Sequence, residues 1–354
     1  MADQLVELNP GARVAGRWTI VKKLGAGAYG AVYLCKDDNG MQGALKTEPV
    51  NTAQPVLAME ACVLNSLHEL RAGEAQHFCR CLDIGRDDQQ RNTATGEVTS
   101  FNFIVMSLVG RALDGLIREA GDRFSPGTAL GMAIQLLDAI KTLHSVGYLH
   151  RDIKPANATI GRPDSNEQRL LYLIDFGIAR KFLREDGTQR RPRAATNFRG
   201  TPIYAPIAAH VNSEYSRKDD VESWFYVLIK FYKGAVPWKH AGDVHQMGER
   251  KCRRLKTQPA DIRRQARAEL LEGCPAEFGQ ILKHIDGLRI EDRPDYEMIA
   301  SLLRKCLSNN GLQEHPYDWE IGKRNEGDVR NEGGNVRTRS GSSGTGKSRS
   351  SKRK

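Results

Sequence analysis

His150-Arg151-Asp152-Ile153-Lys154-Pro155-Ala156-Asn157 is the stretch on which the reading of this chain turns. Within one loop it sets a carboxylate, an ammonium two positions later and a side-chain amide five positions later. Asp175-Phe176-Gly177 adds a second carboxylate downstream. A bare Asp-Phe-Gly recurs by chance in many proteins, so the pair takes its meaning from what precedes it.

Upstream, Gly25-Ala26-Gly27-Ala28-Tyr29-Gly30-Ala31-Val32 reads G-x-G-x-x-G-x-V. A dinucleotide fold needs a helix immediately after such a run and an acid about 20 residues on. Here VYLCKDD follows, a strand ending in a turn, so the glycines sit at a hairpin tip where missing side chains let the backbone close over a triphosphate. On this motif alone an ordinary glycine-rich hairpin is an equal alternative. Gly43-Ala44-Leu45-Lys46 then ends a strand in a lysine fourteen residues before Glu60, which falls on a helical face. That suits a phosphate-holding lysine oriented by an acid, or else a surface salt bridge. Glycine loop, lysine, helix acid, HRDIKPAN and DFG in this order leave the bland alternatives behind. The set fits phosphoryl transfer, in which positioning and charge neutralisation are most of the catalysis. Asp152 is the base for the acceptor hydroxyl, Lys154 neutralises the moving phosphate, and Asn157 and Asp175 bind Mg²⁺.

Period and punctuation give the organisation. From Trp18 to Leu45 apolar and polar residues alternate between glycine clusters, which predicts a three-stranded antiparallel start. Residues 54–70 change to helical spacing, with Val56, Met59, Val63, Leu64 and Leu67 on one face. CRCLDIGR and SFNFIVMSLV read as two further strands, with Cys79 and Cys81 in one of them and a polar loop at Asp87 to Thr99 between. Beyond Gly110 the pattern is mostly helical, and a hinge is expected near Ser107 to Gly110. The expected divisions are 1–16, a sheet-rich 17–107, a helical 108–310, and a C-terminal extension 311–354.

The 354 residues are 40% hydrophobic, enough for one large or two smaller cores. Without a leader-like start or a run of about 18 apolar residues, the chain is expected in the cytoplasm or nucleus, with no membrane insertion. Seven cysteines with no C-x-x-C fit buried thiols rather than a disulfide framework or zinc. Of the net charge of +10, about seven come from the tail after residue 322. The folded part is therefore only mildly basic, and no specific nucleic acid is expected. GSSGTGKS, residues 341–348, matches a phosphate-loop pattern letter for letter. It lacks a preceding strand and a following helix, so it reads as low-complexity tail.

Residues 17 to about 307 resemble the protein kinase superfamily. Asp152-x-Lys154 looks like a serine/threonine kinase, and Ile203-Tyr204-Ala205-Pro206-Ile207-Ala208-Ala209-His210 lacks the glutamate most kinases carry there, as in the casein kinase I group. HSVGYLHRDIKPANATIG, PRAATNFRGTPIYAP, SRKDDVESWFYVLIKFYKGAVPWKH and HPYDWE are similar to the tau-tubulin kinase branch. The resemblance implies an α+β, bilobal fold with a small antiparallel sheet and one helix above a larger helical lobe. It implies ATP held by Leu24, Gly25, Gly27, Gly30 and Val32 from above, by Ala44, Lys46 and Glu60 behind, and by Met106 and Leu108 at the hinge. Asp220 is expected to anchor the catalytic loop, Arg293 to stabilise the larger lobe, and Trp238 to lie in the core. Thr159 and Ser107 depart from the usual residues of the adenine site.

Protein substrates with serine or threonine follow from the same resemblance. Arg184, Arg190, Arg191, Arg193 and Arg199, with a second basic run at 249–256, suggest acidic or already phosphorylated sites. A solvated basic face is the alternative. The basic tail suggests an acidic partner.

Overall fold

The computed structural model describes residues 5–321 except 28–29, 53–54, 72 and 92–97. Its first part is a sheet in the order β1-β2-β3-β4-β6-β5. The strands are β1 (Arg13–Val14), β2 (Trp18–Gly27), β3 (Gly30–Lys36), β4 (Gln42–Pro49), β5 (Cys81–Arg91) and β6 (Val98–Met106), and every neighbouring pair is antiparallel. Period-2 alternation sends Trp18, Ile20, Tyr33, Cys35, Leu45, Phe103 and Val105 to one sealed face. The segment before β1 completes that face. Val6 and Leu8 are buried in it, and the Tyr33 hydroxyl donates to Val6 O at 2.7 Å.

The expected three-stranded start is present. Two details differ from the sequence reading. Cys79 lies before β5, not in it, and the ladder runs through Asp87 to Arg91 and resumes at Val98, where a polar loop was expected. Polar residues can pair here because a ladder needs only backbone groups.

Helix α1 (Leu57–His68) covers the other face of the sheet. Its N-terminal N–H groups are capped from β4, where Glu48 Oε1 accepts from Val56 N at 2.6 Å and Leu57 N at 3.2 Å. Val63, Leu64 and Leu67 are buried as expected, but Met59 is only half-buried, while Glu60 turns inward.

After Met106 the chain enters the helical part: α2 (Leu113–Glu119), α3 (Pro126–Ser145), β7 (Tyr148–Leu149), β8 (Ala158–Ile160), β9 (Leu171–Leu173), β10 (Arg180–Lys181), α4 (Ile207–His210), α5 (Arg217–Lys233), α6 (Val244–Cys252), α7 (Ala260–Leu271), α8 (Ala276–Ile285) and α9 (Tyr296–Asn309). Helices α3 and α5 form its centre. Ser216 and Asp219 make a capping box on α5, Gly234 ends it at φ 92°, and Trp224 Nε1 donates to Ala133 O across to α3 at 2.8 Å. The HPYDWE stretch closes the far end. Tyr317 is fully buried, and Asp318 accepts from Ser125 N at the start of α3 at 2.7 Å. The phosphate-loop look-alike and the basic tail lie outside the described residues.

Candidate active site

Cross-strand register places the ceiling of the cleft. Val32 pairs with Lys46 and Ala44 with Met106, so these four share the sheet face opposite the sealed core, and all are half-buried. Leu24 is half-exposed beside them. At Gly30 the backbone has φ +156°, and a Cβ would lie 1.8 Å from Thr47 O, so no side chain fits. Gly25 and Gly27 face open space. Leu108 is half-buried in the extended connection. The Ser107 hydroxyl accepts from Arg80 N at 2.9 Å. Thr159 is buried in β8, and its hydroxyl has no partner among the described residues.

Behind the cleft, Lys46 Nζ lies 2.7 Å from Glu60 Oε2 and 2.9 Å from Asp175 Oδ1. The surface-salt-bridge alternative does not hold, since the lysine and glutamate side chains are 12% and 2% exposed. Burial alone would lower the lysine's pKa; the charges of Glu60 and Asp175 outweigh it and raise it. The same ammonium holds the Asp175 carboxyl below its ordinary range against the opposing effect of burial.

Asp152 is gripped on both oxygens. Oδ1 accepts from Thr201 N and Thr201 Oγ1, each at 2.8 Å, and Oδ2 from Lys154 Nζ at 2.6 Å. Asn157 Nδ2 donates to Asp152 O at 2.9 Å. The same amide nitrogen also donates to Asp152 Oδ2 at 3.3 Å, so its N–H groups face Asp152 and its carbonyl oxygen could serve as a ligand. An oxygen pair from Asn157 and Asp175 suits a hard divalent cation. Among the described residues no group of three or more His, Cys, Asp or Glu could hold a metal, so such a cation would draw its other oxygens from phosphates and water.

The catalytic loop hangs on Asp220 of α5, as expected. Its buried carboxylate accepts from His150 N and Arg151 N at 2.8 Å each, and pairs with His144 Nε2 at 2.8 Å. Phe176 stacks against His150 and Phe78, at 5.3 and 6.0 Å between centroids.

The larger lobe corrects one expectation. Arg293 is exposed. The buried arginine is Arg254, paired with Glu222 at 2.8 Å and Asp286 at 2.9 Å. Glu222 also accepts from Ile207 N at 2.9 Å. From α5 it thereby holds the residue that follows Pro206. Trp238 lies in the core and donates to Ile203 O at 2.8 Å.

The protein kinase domain model matches residues 18–311, which span both the sheet and the helical part around this site. The chain belongs to the protein kinase family. A probable serine/threonine-protein kinase of Dictyostelium discoideum is 37% identical to this kinase domain over 321 residues, 90% of the chain and 59% of the relative. The chain thus spans less than two thirds of that relative's length. The bilobal α+β fold of the family is the fold observed. No helix among the described residues is long and apolar enough to cross a membrane.

Two residues of the kinase domain's cleft escaped the sequence reading. Thr201 sits inside the quoted PRAATNFRGTPIYAP, but nothing local says that its hydroxyl reaches Asp152. Glu48 lies two residues after Lys46 without any helix-capping pattern near it, because the helix it caps starts after an intervening loop.

Proposed function

We propose that this chain is a serine/threonine protein kinase that moves the ATP γ-phosphate, with Mg²⁺, to protein hydroxyls. The observation that carries this is the buried Lys46–Glu60–Asp175 cluster standing together with an Asp152 held on both oxygens. Lys46 holds the nucleotide's phosphates under the glycine loop. Asp152 orients the acceptor hydroxyl and takes its proton, and Lys154 offsets charge on the transferring group. Bound Mg²⁺ supplies charge neutralisation, with Asn157 and Asp175 as its protein ligands.

The absence of a glutamate after Pro206 supports membership of the casein kinase I group, and the quoted stretches support the tau-tubulin kinase-like branch. We read the acceptor as acidic or already phosphorylated. Arg193 and Arg199 line a cavity of about 450 Å³ with Asn197 and Asn212. Arg151 beside it is lowered to about 10, first by burial and then by Arg199, Arg180 and Arg193. Glu214 offsets part of this crowd, pairing with Arg180 at 3.1 Å and Arg193 at 2.6 Å. Crowded guanidinium groups suit a further anion. Arg184 is spent on its own turn, donating to Thr188 and Gln189 O, so the groove holds fewer arginines than the run suggests.

The test is transfer of labelled phosphate from Mg-ATP to casein by the purified chain, with Asp152→Asn as control and a basic protein as second acceptor. Transfer to casein that vanishes in the variant supports the reading. Preference for the basic acceptor overturns the acidic-site part. No transfer with ATP binding intact points to a scaffold that binds nucleotide without catalysis.

A further inference from the structure

The basic run 249–256 is not one face. Arg250, Arg253 and Lys256 are exposed, whereas Lys251 and Arg254 are buried. Arg254 has the carboxylates of Glu222 and Asp286. Lys251, 1% exposed near the end of α6, has no carboxylate at ion-pair distance among the described residues. Its ammonium instead donates to Pro202 O and Ala205 O, each at 2.7 Å, and lies 3.1 Å from His210 Nε2. The rings of Tyr226 and Trp238 flank it, each centroid at 5.1 Å.

A desolvated ammonium without a direct counter-ion is expensive to bury, and here the cost is set against two backbone carbonyls of a single loop. Burial lowers Lys251 to about 7, with Glu222 opposing and Arg254 adding to the fall. The loop it holds is the one that reaches the catalytic base. Pro202 follows Thr201, whose N–H and hydroxyl both donate to Asp152 Oδ1, while Trp238 fixes Ile203 between the two carbonyls. Lys46, Glu60 and Asp175 belong to other segments, and their ion pairs are with one another.

We propose that Lys251 is a positioning residue for transfer to the protein acceptor: by clasping Pro202 and Ala205 it holds the 201–205 loop so that Thr201 aims the Asp152 carboxylate. This rests on the kinase reading above, and it separates acceptor handling from nucleotide handling.

The experiment compares the purified full chain with Lys251→Met and Lys251→Arg, varying casein at saturating Mg-ATP and then Mg-ATP at fixed casein. Lys251→Met is expected to lower kcat/KM for casein about tenfold or more while KM for ATP stays within about twofold. Lys251→Arg, which keeps the charge and two donors, recovers part of the loss. Unchanged kcat/KM for casein in folded Lys251→Met overturns the proposal, and so does a KM for ATP that worsens in step with it, since that marks general loosening. If Lys251→Met does not fold by circular dichroism, His210→Ala removes one half-exposed partner. A fall of about two- to threefold confined to the casein arm then supports the proposal, and no fall there overturns it. A wild-type chain that transfers nothing overturns the kinase reading and this inference together, whereas active wild type with an undisturbed variant overturns the inference alone.

Discussion

Glu222 Oε1 and Arg254 Nη2 meet at 2.8 Å with their side chains only 4% and 3% exposed, and this buried pair ties α5, the segment after α6 and the start of α4 together. Removing Arg254 leaves the Glu222 charge without its ion-pair partner in a desolvated site. Arg254→Met is therefore expected to cost about 3–5 kcal/mol of stability. The double variant Glu222→Leu with Arg254→Met costs less than Arg254→Met alone. Chemical denaturation of the three proteins checks the order.

The same pair gives a pH dependence. Burial alone would raise the Glu222 pKa, but the charge of Arg254 with that of Lys218 outweighs it and brings the group from 4.5 down to about 2. A carboxyl lowered on folding stabilises fully above its unfolded value and loses that contribution as pH falls through the folded one. The melting-temperature gap between wild type and Glu222→Gln should thus be constant above pH 4.5 and narrow between 4.5 and 2. A gap that widens on acidification contradicts the assignment.

Lys46 has two carboxylate partners, so its neighbours are unequal in importance. Glu60→Gln leaves Lys46 paired with Asp175 and is expected to lower kcat about tenfold, the equivalent of one charge-assisted hydrogen bond. Lys46→Met removes the phosphate-facing charge altogether, with a fall of about 10²-fold or more. Single-turnover transfer at saturating ATP measures both.

Two glycines of one loop should behave differently. Gly30→Ala drives a methyl into Thr47 O and costs about 2 kcal/mol or more, seen as a lower melting temperature. Gly27→Ala meets nothing within 4 Å, so stability changes by less than about 1 kcal/mol and any loss falls on KM for ATP.

The acceptor preference is tested at Arg199, which lines the cavity and has no ion-pair partner among the described residues. Arg199→Ala is expected to lower kcat/KM for phosphorylated or acidic peptides about tenfold while leaving neutral peptides within about twofold. Steady-state kinetics on a matched peptide panel decides it.

What the chain alone determined is local. HRDIKPAN, DFG, the glycine run and Lys46 carry their chemistry at short fixed spacing, and alternation from Trp18 to Leu45 announces strands because side chains change face at every residue. Helical patterning beyond Gly110 likewise made the helical part legible. The tertiary structure decided which charges have partners. Lys46 and Asp175 are 129 residues apart, and only the closure of the two lobes makes them neighbours. The run at 249–256 reads as one basic surface, yet the fold buries Lys251 against two carbonyls and Arg254 against two carboxylates, while Arg293, expected to stabilise the larger lobe, stays in solvent. A charge enters the interior only where distant segments supply its hydrogen bonds and counter-charges, and no window of sequence contains those segments.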